Sequence, residues 1–74
     1  MKVYIVTEMT YDYSDVLLVT ADKDQAIGYA MTQGKEVDFR YADEGVEHQV
    51  LRVRFKDDEY CDYIVDEYEL KGYP

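Results

Sequence analysis

The stretch Val46-Glu47-His48-Gln49-Val50-Leu51-Arg52-Val53-Arg54-Phe55-Lys56 has the clearest period-two alternation in the chain. Leu51, Val53 and Phe55 point one way, while Val50, Arg52 and Arg54 point the other, the pattern of a strand with one face buried. Lys56-Asp57-Asp58-Glu59 then turns the chain, and Tyr60 to Leu70 reads as a second strand. It places Ile64, Tyr68 and Leu70 on one side and Cys61, Tyr63 and Val65 on the other. A turn centred on Asp57-Asp58 brings Tyr60 near Phe55 and Cys61 near Arg54. This long hairpin makes the sheet antiparallel.

Working back towards the N-terminus, Lys2 to Met9 is also a strand, with Val3, Ile5, Thr7 and Met9 on one face and Tyr4 and Val6 on the other. Apolar residues on both faces indicate an interior position. Tyr11-Asp12-Tyr13-Ser14-Asp15 is rich in turn residues, and Val16 to Thr20 completes a first hairpin. The helical segment runs from Asp22 to Gln33. Asp22 and Gln25 make an approximate capping pair, Ala26, Ile27, Ala30 and Met31 form an apolar stripe, and Gly34 stands where a left-handed C-cap belongs. Gly28 costs roughly 1 kcal/mol relative to Ala, and its missing side chain is expected to let the helix lie close to the sheet. Val37, Phe39 and Tyr41 alternate with polar residues, suggesting a short strand or extended segment before the turn at Ala42-Asp43-Glu44-Gly45. The expected fold is α+β, a mainly antiparallel sheet of four or five strands with one helix packed on one face.

Seventy-four residues make a single small domain, 1–74, carrying 17 acidic against 8 basic side chains for a formal charge of −9. Such a domain encloses little volume, so function is expected at its surface. The acidity argues against direct binding to nucleic acid or to anionic lipid. Glu8 interrupts the first apolar run too early for a signal peptide, and no run approaches the ~20 residues of a membrane span.

Catalytic signals are scarce. The chain has no phosphate-cradling glycine loop, no metalloprotease or nucleophile-elbow motif, one Cys and one His. His48 falls too far along the hairpin ladder to touch Cys61, which reads as a small strand residue. Asp57, Asp58 and Glu59 offer oxygen ligands, but too few for Ca²⁺ and in the wrong register, so a solvated turn explains them better. No enzyme activity, cofactor or metal is expected.

Acidic residues interleaved with Tyr are the unusual feature. Asp57, Asp58, Glu59, Asp62, Asp66, Glu67 and Glu69 lie between positions 57 and 69, with no local cation to neutralise them. Strand geometry puts Asp62 and Asp66 on one face, flanking Ile64, and Glu67 and Glu69 on the other. One reading is a charged edge that stops the last strand from pairing with other chains. The other is an acidic surface that occupies a basic groove on another protein. An extended mimic of nucleic acid would also need Asp12, Asp15, Asp43, Glu44 and Glu47 on the same face. Tyr4, Tyr63 and Tyr68 sit in strands and suit a core, whereas Tyr11, Tyr13, Tyr41 and Tyr60 lie at or beside turns and suit a protein interface. Tyr11, Asp12 and Tyr13, with Asp15, form a second candidate contact patch.

Lys2-Val3-Tyr4-Ile5-Val6, the polar tip at Asp12-Tyr13-Ser14, the helix leading to Ala26, and the closing Tyr63-Ile64-Val65-Asp66-Glu67-Tyr68-Glu69-Leu70 resemble a family of small uncharacterised phage and bacterial domains. The resemblance spans the first half and the last ten residues. It departs at Ala21-Asp22-Lys23-Asp24, where that family usually has Ser or Thr followed three residues later by Glu. That family has no assigned activity, so the resemblance implies a fold and a phage or mobile-element setting. The early Glu8 and the lack of a spanning run give the expected place, the cytoplasm of a bacterial host. The acidic clusters with interleaved Tyr make the expected function an acidic protein-binding module, in that setting an inhibitor of a host or anti-phage defence protein that handles nucleic acid. The alternative is a homo-oligomeric structural or accessory protein whose acids serve only solubility. Strands apolar on both faces favour this alternative, because one helix covers one face of a sheet.

Overall fold

The computed structural model describes residues 1–33, 37–55 and 61–71, with the side chains of 37–39 and 55 left aside. Five strands and one helix follow in the order β1 (Lys2–Met9), β2 (Ser14–Thr20), α1 (Lys23–Thr32), β3 (Val37–Tyr41), β4 (Gln49–Phe55) and β5 (Asp62–Glu69). All neighbouring pairs are antiparallel and the sheet order is β2-β1-β5-β4-β3. The α+β expectation holds: helix α1 packs on one face, against β1, β2, β5 and β4, and carries the chain from one edge of the sheet to the other.

Tyr4, Val6, Tyr63 and Val65 are buried beneath α1 with Val53, Ala26 and Ala30. Directly opposed residues of paired strands share a face, so the pairs Val6 with Val65 and Val53 with Tyr63 build one apolar layer across the three central strands. Two bulges enlarge it. Register shifts leave Leu17 as an extra residue in β2 and Val50 as one in β4. As a result the consecutive pairs Leu17-Leu18 and Val50-Leu51 both pack against the core. Strict alternation placed Val50 with Arg52 and Arg54; the bulge turns it to the helix side.

The helix begins as its sequence suggests, with Asp22 Oδ1 accepting from the backbone N–H groups of Asp24 and Gln25 at 2.9 and 3.2 Å. The reciprocal half of the cap differs. Gln25 Oε1 accepts from the Thr20 hydroxyl, and Thr20 Oγ1 in turn accepts from the Asp22 N–H, so Thr20 satisfies the donor that Gln25 was expected to take. Gly34 lies outside the described residues. Gly28 does not mediate close packing: it is exposed, and a Cβ built there meets nothing within 4 Å. Ala26 and Ala30, both fully buried, provide the close approach.

Two further expectations change. The last strand is not an edge, because β5 lies between β1 and β4 at the centre of the sheet. Its acids therefore do not guard an exposed edge. The β4–β5 register sets Arg54 opposite Asp62 rather than Cys61. That one-residue difference puts Arg54 and Asp62 side by side on the face away from the helix.

Candidate functional site

The acids of β5 fall into three environments. Asp62 is only 3% exposed. Its carboxylate accepts from Arg52 Nε at 2.6 Å and from Arg54 Nε and Nη2 at 2.9 and 3.2 Å. Arg52 also donates to Asp43 at 2.8 Å and lies over the Tyr41 ring. Burial alone pushes the Asp62 carboxyl up, but the hydrogen bonds from Arg54 and Arg52 outweigh it and hold the pKa below the usual aspartate range. Asp66 is half-buried on the same face, opposite Ile5 and Gln49. Desolvation raises its pKa, against a smaller opposing effect of His48, whose ring stacks on Tyr68. Glu67 and Glu69 occupy the helix-side face at the far end of β5, where Lys2 and the N-terminal amine pair with them at 3.1 and 3.2 Å.

No cation within positions 57–69 neutralises this segment, but in three dimensions Asp62, Glu67 and Glu69 each meet at least one. The basic partners come from β1 and β4, strands distant in sequence but adjacent in the sheet. Asp62 anchors the sheet and presents no charge to a partner. Asp43 is engaged by Arg52, while Glu44 and Glu47 lie in the β3–β4 connection, at the end of the sheet away from Asp12 and Asp15. Among the described residues, Asp12 and Asp15 thus lie at one end of the sheet and Glu44 and Glu47 at the other, so these acids do not gather into the single surface an extended mimic needs. Asp57, Asp58, Glu59 and Tyr60 lie outside the described residues.

The Tyr11, Asp12 and Tyr13 patch gathers more chemistry than its sequence indicated. Thr10 pins the β1–β2 tip: its N–H donates to the Tyr13 carbonyl at 2.8 Å, and its hydroxyl oxygen accepts from the Tyr13 N–H at 3.1 Å. Tyr11 and Asp12 are held between these anchors at the apex, both exposed. Beside the tip opens a groove of about 760 Å³ lined by Glu8, Thr10, Tyr11, Asp12, Tyr13, Cys61 and Tyr63, within the span of roughly 300–1,000 Å³ typical of ligand pockets. It lies on the helix-side face of the sheet, since Glu8 and Tyr63 are directly opposed and continue the row of Val6 and Val65.

Glu8 is the centre of this groove. Oε1 accepts from the Tyr13 hydroxyl at 2.6 Å and Oε2 from the Tyr63 hydroxyl at 2.8 Å. The hydrogen bond from Tyr13, then that from Tyr63, lowers its pKa against the pull of desolvation, so it stays ionised. The same contact pushes the Tyr13 hydroxyl up to about 12. Burial, followed by the bond to Glu8, raises the Tyr63 hydroxyl further. Asp15 stands directly opposite Glu8 on β2, a like-charge juxtaposition that disfavours the pairing. Among the described residues no cation forms an ion pair with Glu8, Asp12 or Asp15.

Sequence reasoning missed Glu8, Cys61 and Tyr63 as groove residues. The available signal was the position of Glu8, an acid continuing the Tyr4 and Val6 face of β1. No cluster able to hold a metal ion occurs among the described residues. No helix among them is long and apolar enough to cross a membrane. Family models, curated proteins and solved structures yield no match to the chain.

Proposed function

We propose that this protein is a non-catalytic binding module that docks its acidic hairpin-tip end on a basic surface of another protein. The observation that carries the reading is the β1–β2 tip, where Glu8, Asp12 and Asp15 cluster without a cation among the described residues and Tyr11 and Tyr13 stand exposed beside a groove. Uncompensated charge steers association, and exposed Tyr supplies contact area with few rotatable bonds. The resemblance to phage and bacterial domains supports only a phage or mobile-element setting. Within it the acidic tip makes the module an inhibitor, in the cytoplasm of a bacterial host, of a defence or host protein whose basic surface handles nucleic acid. The module itself binds neither nucleic acid nor membrane.

The test is capture from bacterial lysate with the tagged protein beside an Asp12→Lys, Asp15→Lys variant, eluted with rising salt. The expected result is a nucleic-acid-handling protein held by the wild type, released by salt and lost by the variant. Equal retention by both proteins would refute docking through the tip.

A second reading has its own observation. The sheet face away from α1 leaves Val16 and Val19 62% and 59% exposed, and Tyr68 is also exposed on that face. A second copy laid on this face would cover them and make the protein a homo-oligomer. A light-scattering mass equal to one chain throughout the micromolar range removes that reading.

A further inference from the structure

We propose that the tip groove is a receptor for a guanidinium group, taking one arginine side chain of the protein partner with Glu8 as its counter-charge. The inference rests on the binding-module reading and names the chemistry of its contact. A carboxylate offers about four acceptor positions. Tyr13 takes one on Oε1 and Tyr63 one on Oε2, so each oxygen keeps a position for a further donor. One acceptor on each of two adjacent oxygens matches the planar fork of arginine, which donates two parallel N–H bonds; the compact ammonium of lysine does not match both together.

Three features favour a cation at this place. The two phenol donors fix the Glu8 carboxylate in orientation, which reduces the ordering cost of a bidentate contact. Asp15 faces Glu8 across the strand pair, and a positive charge between them would relieve their repulsion. Tyr11 and Tyr13 line the same groove, and tyrosine rings attract a guanidinium laid over their faces. The groove is a surface groove and not an enclosed cavity, so an arginine on an exposed loop or extended segment can enter without opening the fold.

The experiment titrates the full chain with an acetylated peptide carrying three arginines separated by Gly-Ser, alongside the same peptide with lysine or with citrulline, the neutral isostere of arginine. Binding is read by backbone amide shifts. The arginine peptide should bind most tightly, with shifts concentrated at Glu8, Tyr13 and Tyr63, and the citrulline peptide at least roughly tenfold more weakly, as expected for a lost charge-assisted pair. Glu8→Gln keeps the shape and should weaken arginine binding by a similar factor. Tyr13→Phe, which keeps the charge but frees the carboxylate, should cause a smaller loss and narrow the preference for arginine over lysine. Equal binding of arginine and citrulline, shifts remote from the groove, no binding by the wild type, or unchanged affinity in Glu8→Gln would each overturn the assignment. Partner capture separates the two levels. If Glu8→Gln and wild type hold the same basic partner equally, the guanidinium receptor falls and the binding module stands; if wild type captures none, the module reading falls.

Discussion

Replacing Asp62 by Asn tests whether the buried carboxylate organises the face of the sheet away from the helix. Asp62 is 3% exposed and receives three hydrogen bonds from two guanidinium groups. Losing its charge leaves Arg52 and Arg54 beside each other without their shared anion. Removing one partner of a fully buried pair costs about 3–5 kcal/mol. The Arg52 and Arg54 side chains keep 22% and 33% exposure, so water offsets part of the loss. The expected destabilisation is about 2–4 kcal/mol, a large part of the roughly 4–11 kcal/mol that a domain of this length holds. Tm should fall by roughly 10–25 °C.

Urea unfolding followed by circular dichroism at neutral and acidic pH provides the assay. The Asp62 carboxyl is held below its ordinary pKa, so its contribution is full above the unfolded aspartate range, near ~3.9, and is lost as pH falls through the lower folded value. Wild type should therefore lose more stability than Asp62→Asn on acidification, and the gap between them should close. A difference below about 1 kcal/mol at neutral pH, or parallel pH profiles, would show that the arginines rehydrate freely and that the network is incidental.

Gly28→Ala should stabilise the protein by about 0.5–1 kcal/mol, because the position is helical, exposed and open around the added Cβ; a lower urea midpoint would contradict this. Val53→Ala, at a fully buried position of the central layer, should cost about 2–3 kcal/mol in the same unfolding assay. Asp66→Asn should raise Tm at neutral pH, since desolvation disfavours the charged form there, and the gain should disappear below the ordinary aspartate range, where both forms are neutral. Ultraviolet titration should find Tyr13 ionising near pH 12, after ordinary tyrosines; Glu8→Gln should bring that titration earlier.

Strand and helix positions were largely legible because each carried a local signal. The alternation of Lys2–Met9 gave β1 its limits and its interior place, and Asp22 marked the start of α1. What escaped was non-local. Nothing within positions 61–70 shows that β5 enters between β1 and β4, and that placement decides which cations meet its acids. Period-two reading also cannot register an inserted residue, so the two bulges that enlarge the core went unseen, although each falls at consecutive large aliphatic residues, Leu17-Leu18 and Val50-Leu51. The tip patch was legible as Tyr11, Asp12 and Tyr13 because turn chemistry is local. Its floor of Glu8 and Tyr63 depends on two residues 55 positions apart, a contact only the sheet order supplies.

The central place of β5 also orders the events of folding. β1 pairs with β2 and β3 with β4 through short connections, but the two hairpins share no hydrogen-bonded neighbour except β5. During synthesis the strand that joins them emerges after both. Until then the inner edges of β1 and β4 remain open, each able to accept a strand from another nascent chain. Closing the sheet requires Lys2 to meet Glu69, a loop spanning nearly the whole chain, so the slow step is expected to be insertion of β5 rather than formation of either hairpin. A chain cut before Asp62 would retain two hairpins with no strand between them.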